Sequence, residues 1–166
     1  MKRPKSICLR PGEVETLKQN GSVTISRKAK PPAKAVFLPG DRWKNDPDEP
    51  GSAYLDDFGG RMRIFSTTGV TGERRYVKET YGIDTDGSRQ FVVYFDMSRG
   101  PDCSHRISHD EAVKRGTLVN GFDWRPSTNM PEWASRYFVD IESATLEQIG
   151  KEWQWSVLLR LVDSRA

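Results

Sequence analysis

The sequence predicts an α+β fold that is mostly β: an antiparallel β-barrel with short helices and one long loop excursion. Three observations carry this expectation. Apolar and polar residues alternate in many short runs of mixed spacing, separated by Gly- and Asp-rich turns. Only a few segments carry helix-start signals, and each is short. The chain has no βαβ rhythm, no Gly-x-Gly-x-x-Gly and no phosphate-binding loop, so a Rossmann or kinase reading has no support.

The elements follow in order. Residues 11–21 read as a short helix: Pro11 sits at its start, Glu13 in the first turn, Lys18 late, and Gly21 at the stop. Ser22 to Arg27 alternate as a strand, with Val23 and Ile25 on one face. Residues 28–60 hold Pro31, Pro32, Pro39, Pro47 and Pro50 among several glycines, and read as an irregular excursion within one domain. Strands are expected at 61–66, 74–81 and 90–97. Ser108 and Glu111 have the form of a capping box that opens a short helix ending near Gly116. Tyr137 to Ser143 alternate as a strand, and Thr145 to Gln148 resemble a capped turn. Trp153 to Val162 form the last strand, with Trp155, Val157, Leu159 and Leu161 on one face.

A chain of 166 residues fits a single domain, 1–166, able to bury a core. No apolar run approaches the roughly 18 residues of a membrane span. The basic start, Met1 to Lys5, is followed by no apolar stretch of the signal-peptide kind. A cytoplasmic protein without membrane contact is expected. Cys8 and Cys103 are far apart and form no disulfide framework. Cys103, His105 and His109 cluster with Asp102 and Asp110, but match no structural zinc spacing, so the segment reads as a polar surface loop without a metal. No cofactor motif is present.

The net charge of +3 is only mildly basic. Its distribution is more informative. Lys2, Arg3, Lys5, Arg10, Arg27, Lys28, Lys30 and Lys34 form one basic group, and Arg61, Arg63, Arg74, Arg75 and Lys78 a second. Acidic residues between 41 and 57 separate them, which points to a one-sided basic face.

Two segments carry candidate chemistry. In the strand expected at 74–81, Arg75, Val77, Glu79 and Tyr81 share a face, and Val77 should turn it toward the core. Glu79 is then an inward carboxylate, which is costly unless paired. Two readings stay open for it: an acid/base or base-recognition group in a pocket, or a salt bridge with Arg27 or Arg136. The second segment, Trp124 to Arg136, is a proline-stiffened loop with Trp and Arg planes suited to stacking unpaired bases. For Trp133, plugging the barrel end is the favoured alternative to stacking. Arg125 and Arg136 suit phosphate or carboxylate pairing.

Three stretches together carry a family resemblance. They are Gly21-Ser22-Val23-Thr24-Ile25-Ser26-Arg27-Lys28, Gly72-Glu73-Arg74-Arg75-Tyr76-Val77-Lys78-Glu79, and Trp124-Arg125-Pro126-Ser127-Thr128-Asn129-Met130-Pro131-Glu132-Trp133-Ala134-Ser135-Arg136. In order and spacing they resemble the ASCH domain family of phage and prophage type, a branch of the PUA-like superfamily. The third stretch is the most specific. The resemblance implies a PUA-like β-barrel with a cleft beside the first helix, and an association with RNA or modified nucleosides. Some ASCH proteins are amidohydrolases acting on N4-acetylcytidine, and one relative is a ribonuclease. This chain departs from the family pattern at four positions. Val23 stands at the amidohydrolase Lys, Ser26 at its Thr, Glu132 at an Arg, and Arg75 at an apolar position.

The leading expectation is a nucleic-acid-binding protein for RNA or a modified nucleoside, with DNA as a further option. Its contacts would be Arg27, Lys28, Lys78, Tyr81, Arg125, Trp133 and Arg136. An alternative is a hydrolase of a modified nucleoside or RNA, with Glu79 as general base and Ser26 or Thr24 as partner. A third is a phage accessory protein that uses the 28–60 excursion to bind a host protein in the bacterial cytoplasm.

Overall fold

Alternation becomes strand along most of the chain in the computed structural model, which describes residues 5–30, 42–57, 60–85, 89–96, 100–108 and 123–164. The architecture is mostly β, with one α-helix among the described residues. The helix is α1 (Pro11–Asn20). The strands are β1 (Lys5–Cys8), β2 (Ser22–Lys28), β3 (Lys44–Asn45), β4 (Ser52–Asp57), β5 (Gly60–Phe65) and β6 (Arg74–Lys78). They continue as β7 (Tyr81–Thr85), β8 (Arg89–Asp96), β9 (Gly100–Ser108), β10 (Asp123–Arg125), β11 (Tyr137–Ile149) and β12 (Glu152–Ser164). The chain divides into two units. Met1–Gly21, Arg75–Val139 and Leu161–Ala166 make the first, and Ser22–Arg74 with Asp140–Arg160 make the second.

In the first unit, α1 starts and stops where its sequence signals stand. The Glu13 carboxylate accepts the Arg10 N–H at 2.8 Å, and Gly21, at φ 70°, donates its N–H to the Leu17 carbonyl at 2.9 Å. That left-handed stop suits glycine. Val14 and Leu17 are the buried residues of the helix. β1 lies parallel to β6, with Ile7 opposite Val77 and both buried. This is a parallel pair in a fold expected to be mostly antiparallel. β7 to β10 form an antiparallel sheet in the order β10-β7-β8-β9. The register slips between Val92 and Tyr94, and both residues remain in the core. Tyr81, Ile83, Val92, Tyr94, Met130 and Ala134 make one buried cluster.

In the second unit, β2 and β12 pair antiparallel, with Ile25 opposite Val157 and Val23 opposite Leu159, all buried. Thr24 and Ser26 occupy the exposed alternate positions. Burying each aliphatic side chain of this kind contributes about 1.5–3 kcal/mol. β3, β4 and β5 form a second, three-stranded sheet. Gly51 turns the chain ahead of β4 at φ 87°, and a Cβ there would meet the Val70 Cα at 3.0 Å, so no larger residue fits without a shift. The Asn45 side chain acts as a short piece of strand. Its amide donates to the Leu146 carbonyl at 3.1 Å, and its oxygen accepts the Leu146 N–H at 2.6 Å.

Several expectations change. Within the 28–60 excursion, 44–45 and 52–57 are strand, because Pro47, Pro50 and Gly51 serve the turn between β3 and β4. The strand expected over 74–81 breaks after Lys78, yet the alternation of burial runs on through the break. Thr145–Gln148 are strand, not a capped turn: Ala144 and Leu146 bury alternately, and the chain turns only at Gly150, at φ 64°. Residues 100–108 form β9, so Cys103 and His105 lie on a strand and not in a loop. His109 and the helix expected at 108–116 fall outside the described residues beyond Ser108, as do 31–41 of the excursion. Among the described residues no sheet closes on itself, and no helix is long and apolar enough to cross a membrane.

Candidate functional site

Glu79 follows β6 at the break and turns inward, as the alternation predicts. It is 3% exposed, and Arg136, just before β11, is 2% exposed. The two side chains meet as a fork. Arg136 Nε donates to Glu79 Oε1 at 2.9 Å, and a terminal guanidinium nitrogen donates to Oε2 at 2.8 Å. The guanidinium lies over two rings, 4.3 Å from the Tyr94 centroid and 4.9 Å from that of Tyr137. A planar, always-charged group is well matched to a bidentate acceptor and to aromatic faces at once. Of the two readings open for Glu79, the salt bridge with Arg136 is the one formed.

The loop leading to Arg136 is fixed from several sides. Pro126 and Pro131 precede two 3-10 turns, Ser127–Asn129 and Glu132–Ala134, each in extended backbone. Within them the Met130 N–H donates to Ser127 at 3.1 Å, and the Ser135 N–H to Glu132 at 3.0 Å. The Tyr94 hydroxyl donates to the Ala134 carbonyl at 2.7 Å, and the Tyr81 hydroxyl to that of Asn129 at 3.2 Å. The Ser135 hydroxyl reaches the carbonyls of Val77 (2.8 Å) and Tyr137 (2.9 Å), and donates to one at a time. The Glu79 N–H points at the Met130 sulfur, 3.4 Å away. Lys78 Nζ donates to the Thr128 carbonyl at 2.9 Å.

Three of the expected contact residues remain near the surface of this loop. Trp133 is half-buried and packs against the cluster of Tyr81, Ile83, Val92, Tyr94, Met130 and Ala134. Arg125 is half-buried on β10, opposite Tyr81. Lys78 is partly exposed. Three other candidates are buried. Arg136 and Glu79 are enclosed and bound to each other, so neither offers a surface contact to a nucleic acid while the pair is closed. Both Glu79 oxygens accept from Arg136, which is not the arrangement of a general base facing a substrate. Tyr81 is 2% exposed, so its ring belongs to the core rather than to a stacked base.

The remaining candidates belong to the second unit. Arg27 donates to the Ser26 carbonyl at 3.0 Å. Lys28 pairs with Glu152 at 2.7 Å, and both side chains are mostly exposed. Thr24 and Ser26 are exposed on β2. In the same unit, Arg74 holds Asp140 through Nε at 2.9 Å and a terminal nitrogen at 3.1 Å. The hydrogen bond from Arg74, helped by its charge, sets the Asp140 carboxyl below its ordinary 3.8 against the opposing pull of burial. Among the described residues no group of three or more His, Cys, Asp or Glu could hold a metal. The side chains of Cys103 and His105 lie outside those described.

Sequence reasoning missed the ring partners Tyr94 and Tyr137 and the bridging Ser135. The adjacency of Arg136 and Tyr137 was a usable signal, whereas the approach of Tyr94 depends on sheet register. No family model, curated protein or solved structure matches the chain.

Proposed function

We propose that this chain is a nucleic-acid-binding module of the ASCH, PUA-like type that recognises unpaired RNA or a modified nucleoside in a bacterial host cytoplasm. The observation that carries the reading is the stiffened loop at 126–136. It carries Trp133, packed on the Tyr81 cluster, and accepts Lys78 Nζ at its Thr128 carbonyl; Arg125 enters it from β10, and the buried Arg136–Glu79 fork closes its far end. A fixed aromatic plane with nearby cations favours an unpaired base and its phosphate. Arg136 and Glu79 are positioning residues in this reading, and Lys78, Arg125 and Trp133 are the contacts. The PUA-like barrel belongs to the same proposal; the three motif segments and the predominance of strand support it.

The test is fluorescence anisotropy of the full chain with labelled single-stranded RNA across a salt series. Two neutralised phosphates give a slope of about −1.4 in log K against log salt. Trp133→Ala lowers affinity about tenfold. Undetectable binding at low salt sinks the reading. The hydrolase alternative with Glu79 as base would need the fork to open before chemistry, and no observed contact favours that state.

A further inference from the structure

Resting on that reading, we infer that the ligand is an unpaired RNA segment of at least two nucleotides, with Tyr76 as a second stacking platform and the Lys78 ammonium between the two bases. β6 alternates: Arg75 and Val77 are buried, while Tyr76 and Lys78 stand on the outward face. Tyr76 is half-buried there, unlike Tyr81, Tyr94 and Tyr137, which are all core.

The Lys78 ammonium joins this ring to the loop. It lies 5.9 Å from the Tyr76 centroid and 2.9 Å from the Thr128 carbonyl. Thr128 belongs to the turn just before the one that carries Trp133. At 5.9 Å the ammonium stands at the outer limit of cation–π contact, so it charges the neighbourhood of the ring without sealing its face. The β1 residues opposite are small: Ser6 faces Tyr76 and Cys8 faces Lys78. Neither brings a negative charge against a phosphate. The order of chemistry is therefore aromatic, cation, loop, aromatic. A free nucleoside has one base and no phosphate and engages only part of it. Two linked nucleotides supply a base for each ring and a phosphate for the lysine between them.

The test compares two probes on the full chain: an unpaired RNA of about ten nucleotides, within ordinary site sizes, and a mononucleotide used as competitor. Tyr76→Ala should weaken the oligonucleotide about tenfold and the mononucleotide by less, since a single base can still stack on Trp133. Tyr76→Phe keeps the ring and should bind the oligonucleotide as the native chain does, which separates stacking from a folding defect. Trp133→Ala should weaken both probes. If Tyr76→Ala binds the oligonucleotide like the native chain while Trp133→Ala does not, the two-platform inference is overturned and the binding reading stands. Equal losses in Tyr76→Ala and Tyr76→Phe overturn it as well, because the ring face is then not the cause. If neither probe binds at low salt, the binding reading falls and takes this inference with it.

Discussion

Two ion pairs of nearly equal length sit in very different parts of this molecule. Arg136 and Glu79 approach to 2.8 Å with side chains 2% and 4% exposed. Lys28 and Glu152 approach to 2.7 Å with side chains 72% and 54% exposed. Distance alone ranks them as equals, but the surroundings do not. The first pair has been stripped of water, and its carboxylate is satisfied by a fork whose guanidinium rests on two rings. The second pair keeps its hydration, and its attraction competes with solvent and with the side-chain freedom it gives up. The buried pair is therefore a point of commitment: cheap to keep closed, costly to leave half-made.

The most severe way to break this comparison is to remove one buried partner. Arg136→Met leaves the Glu79 carboxylate enclosed without its guanidinium and should destabilise the chain by about 3–5 kcal/mol in denaturant unfolding. The double variant Arg136→Met with Glu79→Leu removes both charges and should recover most of that loss, because two apolar side chains replace two desolvated ions. A double variant no more stable than Arg136→Met would mean that the rings and the loop, not the charge left behind, account for the cost.

How far the sequence could reach is visible in the same residues. Alternation along 74–81 turned Val77 toward the core and Glu79 inward, and both are buried. The break after Lys78 did not disturb this, since burial depends on the side-chain period more than on unbroken pairing. The inward carboxylate and the stiff loop were both legible from residue type. Their meeting was one of the alternatives left open, because Glu79 and Arg136 lie 57 positions apart and only the folded register decides which partner is reached. Tyr81 was misjudged for the same reason. An aromatic with a hydroxyl suits a stacking site or a core with a carbonyl in reach, and the Asn129 carbonyl decides between them. The strands at 44–57 were hidden by prolines and a glycine that mark a turn between strands rather than the absence of strand.

A gentler test uses the Arg74–Asp140 pair, which lies between the two extremes with side chains 55% and 37% exposed. Its geometry is a fork like that of the buried pair, so it separates geometry from burial. Arg74 lowers the Asp140 carboxyl below 3.8, so the folded state favours the ionised form. A lowered folded value means that the contribution is complete above the unfolded value and fades as pH falls through the folded one. Asp140→Asn should therefore cost at most about 1 kcal/mol at neutral pH after allowance for solvent screening. The gap between the native chain and the variant should close below pH 3.8. A gap that persists unchanged into stronger acid would show that the aspartate acts through something other than its charge.

The smallest effect belongs to the shortest of these three pairs. Lys28→Ala should change stability by no more than about 0.5 kcal/mol. Added salt should erase even that, because exposed charges are screened within about 8–10 Å at ordinary ionic strength. The same salt should leave the penalty in Arg136→Met almost unchanged, since that carboxylate is shielded from ions as well as from water. Denaturant midpoints for both variants at low and high salt measure this directly. If Lys28→Ala proved as costly as Arg136→Met, or if salt relieved both alike, burial would not be what distinguishes the two pairs. The loop that carries Trp133 would then owe its fixed position to the hydroxyl bonds of Tyr94 and Ser135 rather than to the fork beneath it.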